Sequence, residues 1–158
     1  METRDTAGVD DSVDALTDAL LTASRLLMAI SARSIANVDE SITIPQFRAL
    51  VILASRGPSN LAALAGLLDV QPSTVGRMAD RLVAAGVIDR RPHPSSRREL
   101  VVELSPRGHE IVTTVTARRR AEVARVVQAI PARERSGLVT ALTAFTAAGG
   151  EPPAHIEF

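Results

Sequence analysis

Ser73, Thr74, Arg77 and Arg81 have the side-chain types and the spacing to read duplex DNA from one face of a helix. A guanidinium can donate two hydrogen bonds to guanine O6 and N7, while hydroxyls hold phosphate oxygens or touch a thymine methyl. Arg77 is therefore the expected base reader, with Ser73 and Thr74 on phosphate or thymine. Arg81 is expected on phosphate, with pairing to Asp80 or to the following hairpin as the alternative. Further on, Arg90, Arg91, Arg97 and Arg98 flank a turn at residues 92–96. Between positions 71 and 98 these arginines face only Asp80 and Asp89, a local basic face in a chain of zero formal net charge.

The elements that hold these residues follow from period and punctuation. Pro72 opens the arginine-bearing helix, since its fixed φ and missing N–H suit the first helical position. Val75, Met78, Leu82 and Val83 recur there at helical steps and are expected to face a core. Upstream, Leu61, Leu64, Ala65 and Leu68 form the apolar face of a short helix capped by Asn60, and Asp69-Val70-Gln71 separates the two. Such a pair makes a helix-turn-helix, in which the first helix braces and the second enters a groove. Gln71 is a weak N-cap, a cost on the order of 1 kcal/mol that Pro72 partly offsets. Gly86 ends the second helix, and residues 87–91 and 100–104 read as the strands of a wing whose arginines suit phosphate and minor-groove contact.

Flanking helices complete the chain. Thr43-Ile44-Pro45 starts one that buries Phe47, Leu50, Val51, Leu53 and Ala54 before Gly57-Pro58 stops it. Ser12 caps a first helix in which Leu16, Leu20, Ala23, Leu27 and Ile30 form a narrow seam, flanked by Leu21 and Met28. That seam either lies on the chain's own core or packs on a second subunit. Ser105-Pro106 begins a long helix carrying Ile111, Val112, Val115, Val123, Val126, Val127 and Ile130. Pro131 kinks it or opens a last helix bearing Leu138, Leu142 and Phe145. Long apolar helices at both ends are most simply buried against another copy.

Composition excludes several classes. With 158 residues and 46% hydrophobic content, one domain with helical extensions is expected rather than a disordered chain. Every basic residue is Arg, which removes P-loop and Schiff-base lysines, and no Cys is present for disulfides or thiolate metal sites. The longest uncharged run, residues 136–150, is too short for a membrane span, and the acidic N-terminus has the wrong polarity for a secretory signal. A soluble cytoplasmic protein without cofactor or membrane contact is expected. His109-Glu110 is followed by Thr113 where a zinc-protease helix needs a second His, and His93 and His155 lie far off. An enzyme is therefore not expected. A metal-responsive regulator and a protein-binding winged helix remain as alternatives, and the arginine cluster speaks against the second.

The segment Pro-Ser-Thr-Val-Gly-Arg-Met-Ala-Asp-Arg-Leu at 72–82 and Ala-Gly-Val-Ile-Asp-Arg-Arg at 85–91 closely resemble the MarR family of winged-helix transcription regulators. Arg97-Arg98 on the wing and Leu104-Ser105-Pro106-Arg107-Gly108, where members carry Leu-Thr-x-x-Gly, extend the resemblance over roughly residues 12–148. It implies a mainly α fold with a small β-wing, and a winged helix-turn-helix with long N- and C-terminal dimerisation helices. The implied organisation is an arm at 1–11, dimerisation helices at 12–40 and 105–148, a DNA-binding domain at 43–104 and a tail at 149–158. The implied protein is a homodimeric repressor of a pseudo-palindromic operator, released by a small-molecule effector. By the same resemblance Pro72, Ser73, Thr74 and Arg77 match the major-groove contacts and Arg97 the minor-groove arginine, while Arg81, Arg90 and Arg98 are added as DNA contacts on their charge and position. Leu16, Leu20, Leu27, Leu138, Leu142 and Phe145 would form the dimer base.

Members usually carry two acids in the wing, where this chain has His93 and Ser96, so wing order is an open expectation. An effector crevice between base and head would draw on residues such as Leu27, Phe47 and Ile111. With no Tyr or Trp and three Phe, aromatic stacking there is limited, which gives a phenolic ligand no support.

Overall fold

The computed structural model describes residues 12–151, apart from the side chain of Arg97. The acidic arm at 1–11, His155 and the docking of Ile156 and Phe158 lie outside the described residues. Six helices and three strands are present among the described residues: α1 Val13–Ala36, α2 Ile44–Arg56, β1 Ser59–Asn60, α3 Leu61–Leu68, α4 Pro72–Ala84, β2 Ile88–His93, β3 Ser96–Leu104, α5 Pro106–Gln128 and α6 Ala132–Ala148. The fold is mainly α with a small β-wing, a winged helix-turn-helix.

Local chemistry sets most boundaries. The Ser12, Asn60 and Ser105 side chains accept the N–H groups of Ala15, Ala63 and Gly108, so α1, α3 and α5 start where hydroxyl or amide caps stand. Thr43 and Gln46 form a reciprocal capping box on α2, a pairing visible in the Thr-x-x-Gln spacing. Gln71 makes no side-chain capping bond, as its type predicted. Asp69 turns the chain between α3 and α4 at φ 54°, a left-handed conformation that Asp tolerates better than most residues. Pro131 opens α6 rather than kinking α5.

The sheet runs β1-β3-β2, all antiparallel, with Ser59 opposite Val102 and Ile88 opposite Leu104. The two-residue β1 ties the start of α3 to the root of the wing. One core joins α2, α3, α4, the sheet and the first turns of α5 through Leu50, Leu64, Val75, Val87, Val102 and Val112. On α4 the buried face is Val75, Ala79 and Leu82, with Met78 partly buried. Val83, expected inside, is exposed, because the contact face follows the four- and three-residue steps through Ala79 and the next residue turns about 100° away.

The head is seated on α5 through backbone. The Ser105 hydroxyl donates to the Gly86 carbonyl (2.7 Å) and accepts from the Gly108 N–H, while the Ser105 N–H donates to the Val87 carbonyl. An added Cβ at Gly108 would sit 2.0 Å from that Val87 oxygen. Only glycine permits this approach, which gives a physical reason for the glycine in the Leu-Ser-Pro-Arg-Gly segment.

The terminal helices have another character. In α1 only Ile30, Ser34 and Ile35 are buried, while Leu16, Leu21, Leu27 and Met28 are exposed and Leu20 is partly covered. In α6 no residue is buried, and Leu138, Leu142 and Phe145 are all exposed. Of the seam of α1 only Ile30, at its C-terminal end, is buried by the chain itself, and Leu16, Ala23 and Leu27 are left exposed. Counting only uncharged runs also understated α1, which by length and hydropathy could cross a membrane, although it carries Asp14, Asp18, Arg25 and Arg33. Arg33 pairs with Glu122 of α5 at 3.0 Å.

Candidate nucleic-acid interface

With Val75, Ala79 and Leu82 in the core, helical geometry turns Ser73, Arg77 and Arg81 outward. Pro72, Ser73, Arg77 and Arg81 are exposed and Thr74 is partly covered. Among the described residues, neither Arg77 nor Arg81 has an ion-pair or hydrogen-bond partner. Asp80, the nearest acid in sequence, is taken: Arg90 of β2 donates to its Oδ1 at 2.8 Å. Arg81 thus does not pair with Asp80, and Arg90 is engaged in joining the wing to α4.

Two further contacts fix the wing. Arg91 reaches across to Glu103 with two hydrogen bonds of 2.7 and 3.0 Å, and that donation holds the Glu103 carboxyl below its ordinary pKa. Asn60 accepts from the α3 backbone and donates its amide to Glu99 of β3, so one side chain links helix cap and wing. At the tip, His93 Nδ1 accepts the Ser95 N–H, closing the turn where the register shifts after Pro92. The wing pairs as a hairpin with His93 and Ser96 at the positions where acids are usual. Arg98 is exposed on β3, and Arg97 lies on the same strand with its side chain outside the described ones.

Behind this face lies a contact that sequence reasoning missed. Arg107, at the start of α5, donates to Asp39 Oδ2 (3.0 Å) and to the carbonyl of Ala85 (3.2 Å), the residue ending α4. It ties the α1–α2 connection to the end of the recognition helix. The Ser41 hydroxyl and N–H, then the Arg107 charge, hold the Asp39 carboxyl below the usual carboxylate range. Because the folded-state value is the lower one, Asp39 stabilises the fold fully above the ordinary carboxylate range, and that contribution is lost as pH falls through the depressed value. Asp39→Asn is expected to remove this component, so thermal unfolding between pH 6 and 2 should show a shallower fall below about pH 4 than the parent. An unchanged acid limb would contradict the assignment.

Around this pair an open crevice of about 300 Å3 is lined by Asn37, Asp39, Arg107, Glu110, Ile111 and Arg118, among others. Of the residues expected in an effector crevice only Ile111 lines it. Phe47 is buried in the head core and Leu27 lies exposed on α1. Among the described residues no group of three acids or histidines is placed to hold a metal.

A family model described as the MarR family matches residues 42–100, from the residue before the α2 cap to the wing. An uncharacterised helix-turn-helix-type transcriptional regulator of Mycobacterium bovis, Mb0904, is 30% identical over 117 residues, covering 74% of this chain and 82% of that protein. The chain belongs to the MarR family. The crystal structure of RV1404 from Mycobacterium tuberculosis superimposes with a TM-score of 0.85 at 66% identity, covering 92% of this chain and 99% of that one. The multiple antibiotic resistance protein MarR of Salmonella typhimurium is 36% identical over 70 residues, 44% of this chain and 49% of that protein. As a member of the MarR family this chain is a transcriptional regulator with a DNA-binding winged helix, and not an enzyme.

Proposed function

We propose that this MarR-family chain is a homodimeric repressor of a pseudo-palindromic operator, released by a small-molecule effector. The observation that carries the reading is the outward face of α4, where Arg77 and Arg81 stand without partners among the described residues, beside a braced wing. In this reading residues 43–104 form the reading head, with Pro72, Ser73, Thr74 and Arg77 in the major groove and Arg81 and Arg98 on phosphate. Arg90 serves mainly to hold the wing, and Arg97 takes the minor groove. Residues 12–40 and 105–148 form the base.

Support for a dimer comes from the uncovered apolar residues of α1 and α6. Leu16, Leu20, Leu27, Leu138, Leu142 and Phe145 would be buried by a second copy, which also accounts for the hydropathy of α1 without a membrane. The protein then acts in the cytoplasm, where it meets its DNA. Two heads on one base read successive major grooves when about 34 Å apart. The crevice at Arg107 suits an effector, since a ligand drawing Arg107 from Ala85 would disturb the seating of α4.

Light scattering of the free chain and of its complex with a selected duplex tests this directly. Twice the 16.7 kDa chain mass is expected for the free protein and that mass plus one duplex for the complex, and a single chain in either would contradict it. Arg97→Ala is expected to weaken duplex binding and to lower the slope of log affinity against log salt by about 0.9 for each phosphate left without its cation, measured by fluorescence anisotropy. A salt slope equal to the parent's would remove Arg97 from the interface.

A further inference from the structure

An open cleft of about 310 Å3 separates the start of α2 from the outward face of α4, and Pro45, Gln46, Thr74, Arg77 and Arg81 are among its lining residues. Gln46 has a divided role there. Its carbonyl oxygen accepts the Thr43 N–H at 2.8 Å, which fixes the side chain in the capping box. An amide oriented through its oxygen still has two N–H donors to offer, and no partner for them is found among the described residues. Across the cleft, Arg77 and Arg81 are one helical turn apart and likewise unpaired, and the one acid next to them in sequence, Asp80, is held by Arg90. Three donor groups converge on this cleft with no carboxylate lining it.

We infer that Gln46 and Arg81 together clamp one backbone phosphodiester of the bound duplex, so that α2 takes part in DNA contact and Arg77 is left to read bases. The inference rests on the DNA-binding reading and adds a second helix to it. A phosphodiester supplies two acceptor oxygens and one negative charge, matching an amide N–H pair on one wall and a guanidinium on the other. The pre-set Gln46 rotamer lowers the entropy lost on binding. This contact reads no sequence and sets the depth and tilt of α4 in the groove.

Gln46→Glu separates the two roles. A glutamate at this position keeps the capping box, so the melting temperature should stay within about 2 °C of the parent. It removes the amide donors and offers Arg81 an intramolecular partner. Anisotropy titrations would use a mixed-sequence duplex of about 30 base pairs, which requires no knowledge of the operator. Gln46→Glu is expected to weaken binding roughly tenfold and to lower the salt slope by about 0.9, the equivalent of one phosphate. Arg81→Ala should lower the slope equally, and the double variant no further, since both act on the same phosphate. Equal affinity and salt slope for the parent and Gln46→Glu would overturn the clamp while leaving the DNA-binding reading intact. A parent chain without duplex affinity would overturn both. Inorganic phosphate that displaces duplex beyond a chloride control of equal ionic strength, and does so less in Gln46→Glu, would assign the cleft to a free anion and overturn the backbone contact.

Discussion

Arg77→Ala is expected to abolish the preference for a selected operator over a scrambled duplex, with assembly state and melting temperature unchanged. The side chain is exposed on α4 and makes no ion pair among the described residues, so its removal should leave the fold intact. A bidentate guanine contact discriminates by about 1–3 kcal/mol, so each head would lose about 5- to 150-fold in selectivity. In a symmetric dimer the loss occurs twice, and residual binding would be the salt-dependent phosphate term alone. Competition between specific and scrambled duplex at one fixed salt concentration reads this out. A retained preference would move base reading to Ser73, Thr74 or the wing.

The second large effect concerns the seating of the head. Gly108→Ala places a methyl group 2.0 Å from the Val87 carbonyl oxygen, far inside contact distance, and the obstacle is backbone at both ends. Val87 is held from behind by its N–H to Leu82 and by the Ser105 N–H on its oxygen, so neither chain can give way without breaking a hydrogen bond. Overpacking of this kind costs typically 1–3 kcal/mol, and with the hydrogen bonds disturbed as well, about 3 kcal/mol is expected. For a chain of this size the melting temperature would fall by about 6–12 °C. Gly66→Ala is the control: α3 has open space at that position, and the substitution should stabilise by about 0.5–1 kcal/mol. If Gly108→Ala melted with the parent, α5 would not be seated through this contact.

What could be read from sequence was whatever local chemistry decides. Asn60, Thr43, Ser105, Pro72 and Gly57 punctuate the backbone by hydrogen bonding or φ alone, and the elements begin and end at them. The pairing of residues near 88 and 104 followed from two β-rich runs around a proline turn. Decisions made between elements were hidden. Val83 and Ala79 are both apolar enough to be inside, and only the approach of α4 to the sheet selects the smaller one. Arg90 looked like any other wing arginine, and Asp80 claims it only because the fold brings β2 alongside α4. Arg107 lies 68 residues from Asp39, a separation at which no pattern signals a pair. Gln46 was not singled out in the sequence, and its place in one cleft with Arg81 exists only in the fold.

In the proposed reading a base-reading arginine stands on each of two heads held at a fixed separation. Enrichment of bound sequences from a random duplex pool tests that arrangement most directly, because half-site and spacing emerge from one experiment. Two inverted half-sites with centres about 10–10.5 base pairs apart, each with a guanine whose enrichment disappears in Arg77→Ala, are expected. A single unrepeated site, or a pool enriched identically by the parent and Arg77→Ala, would contradict the account.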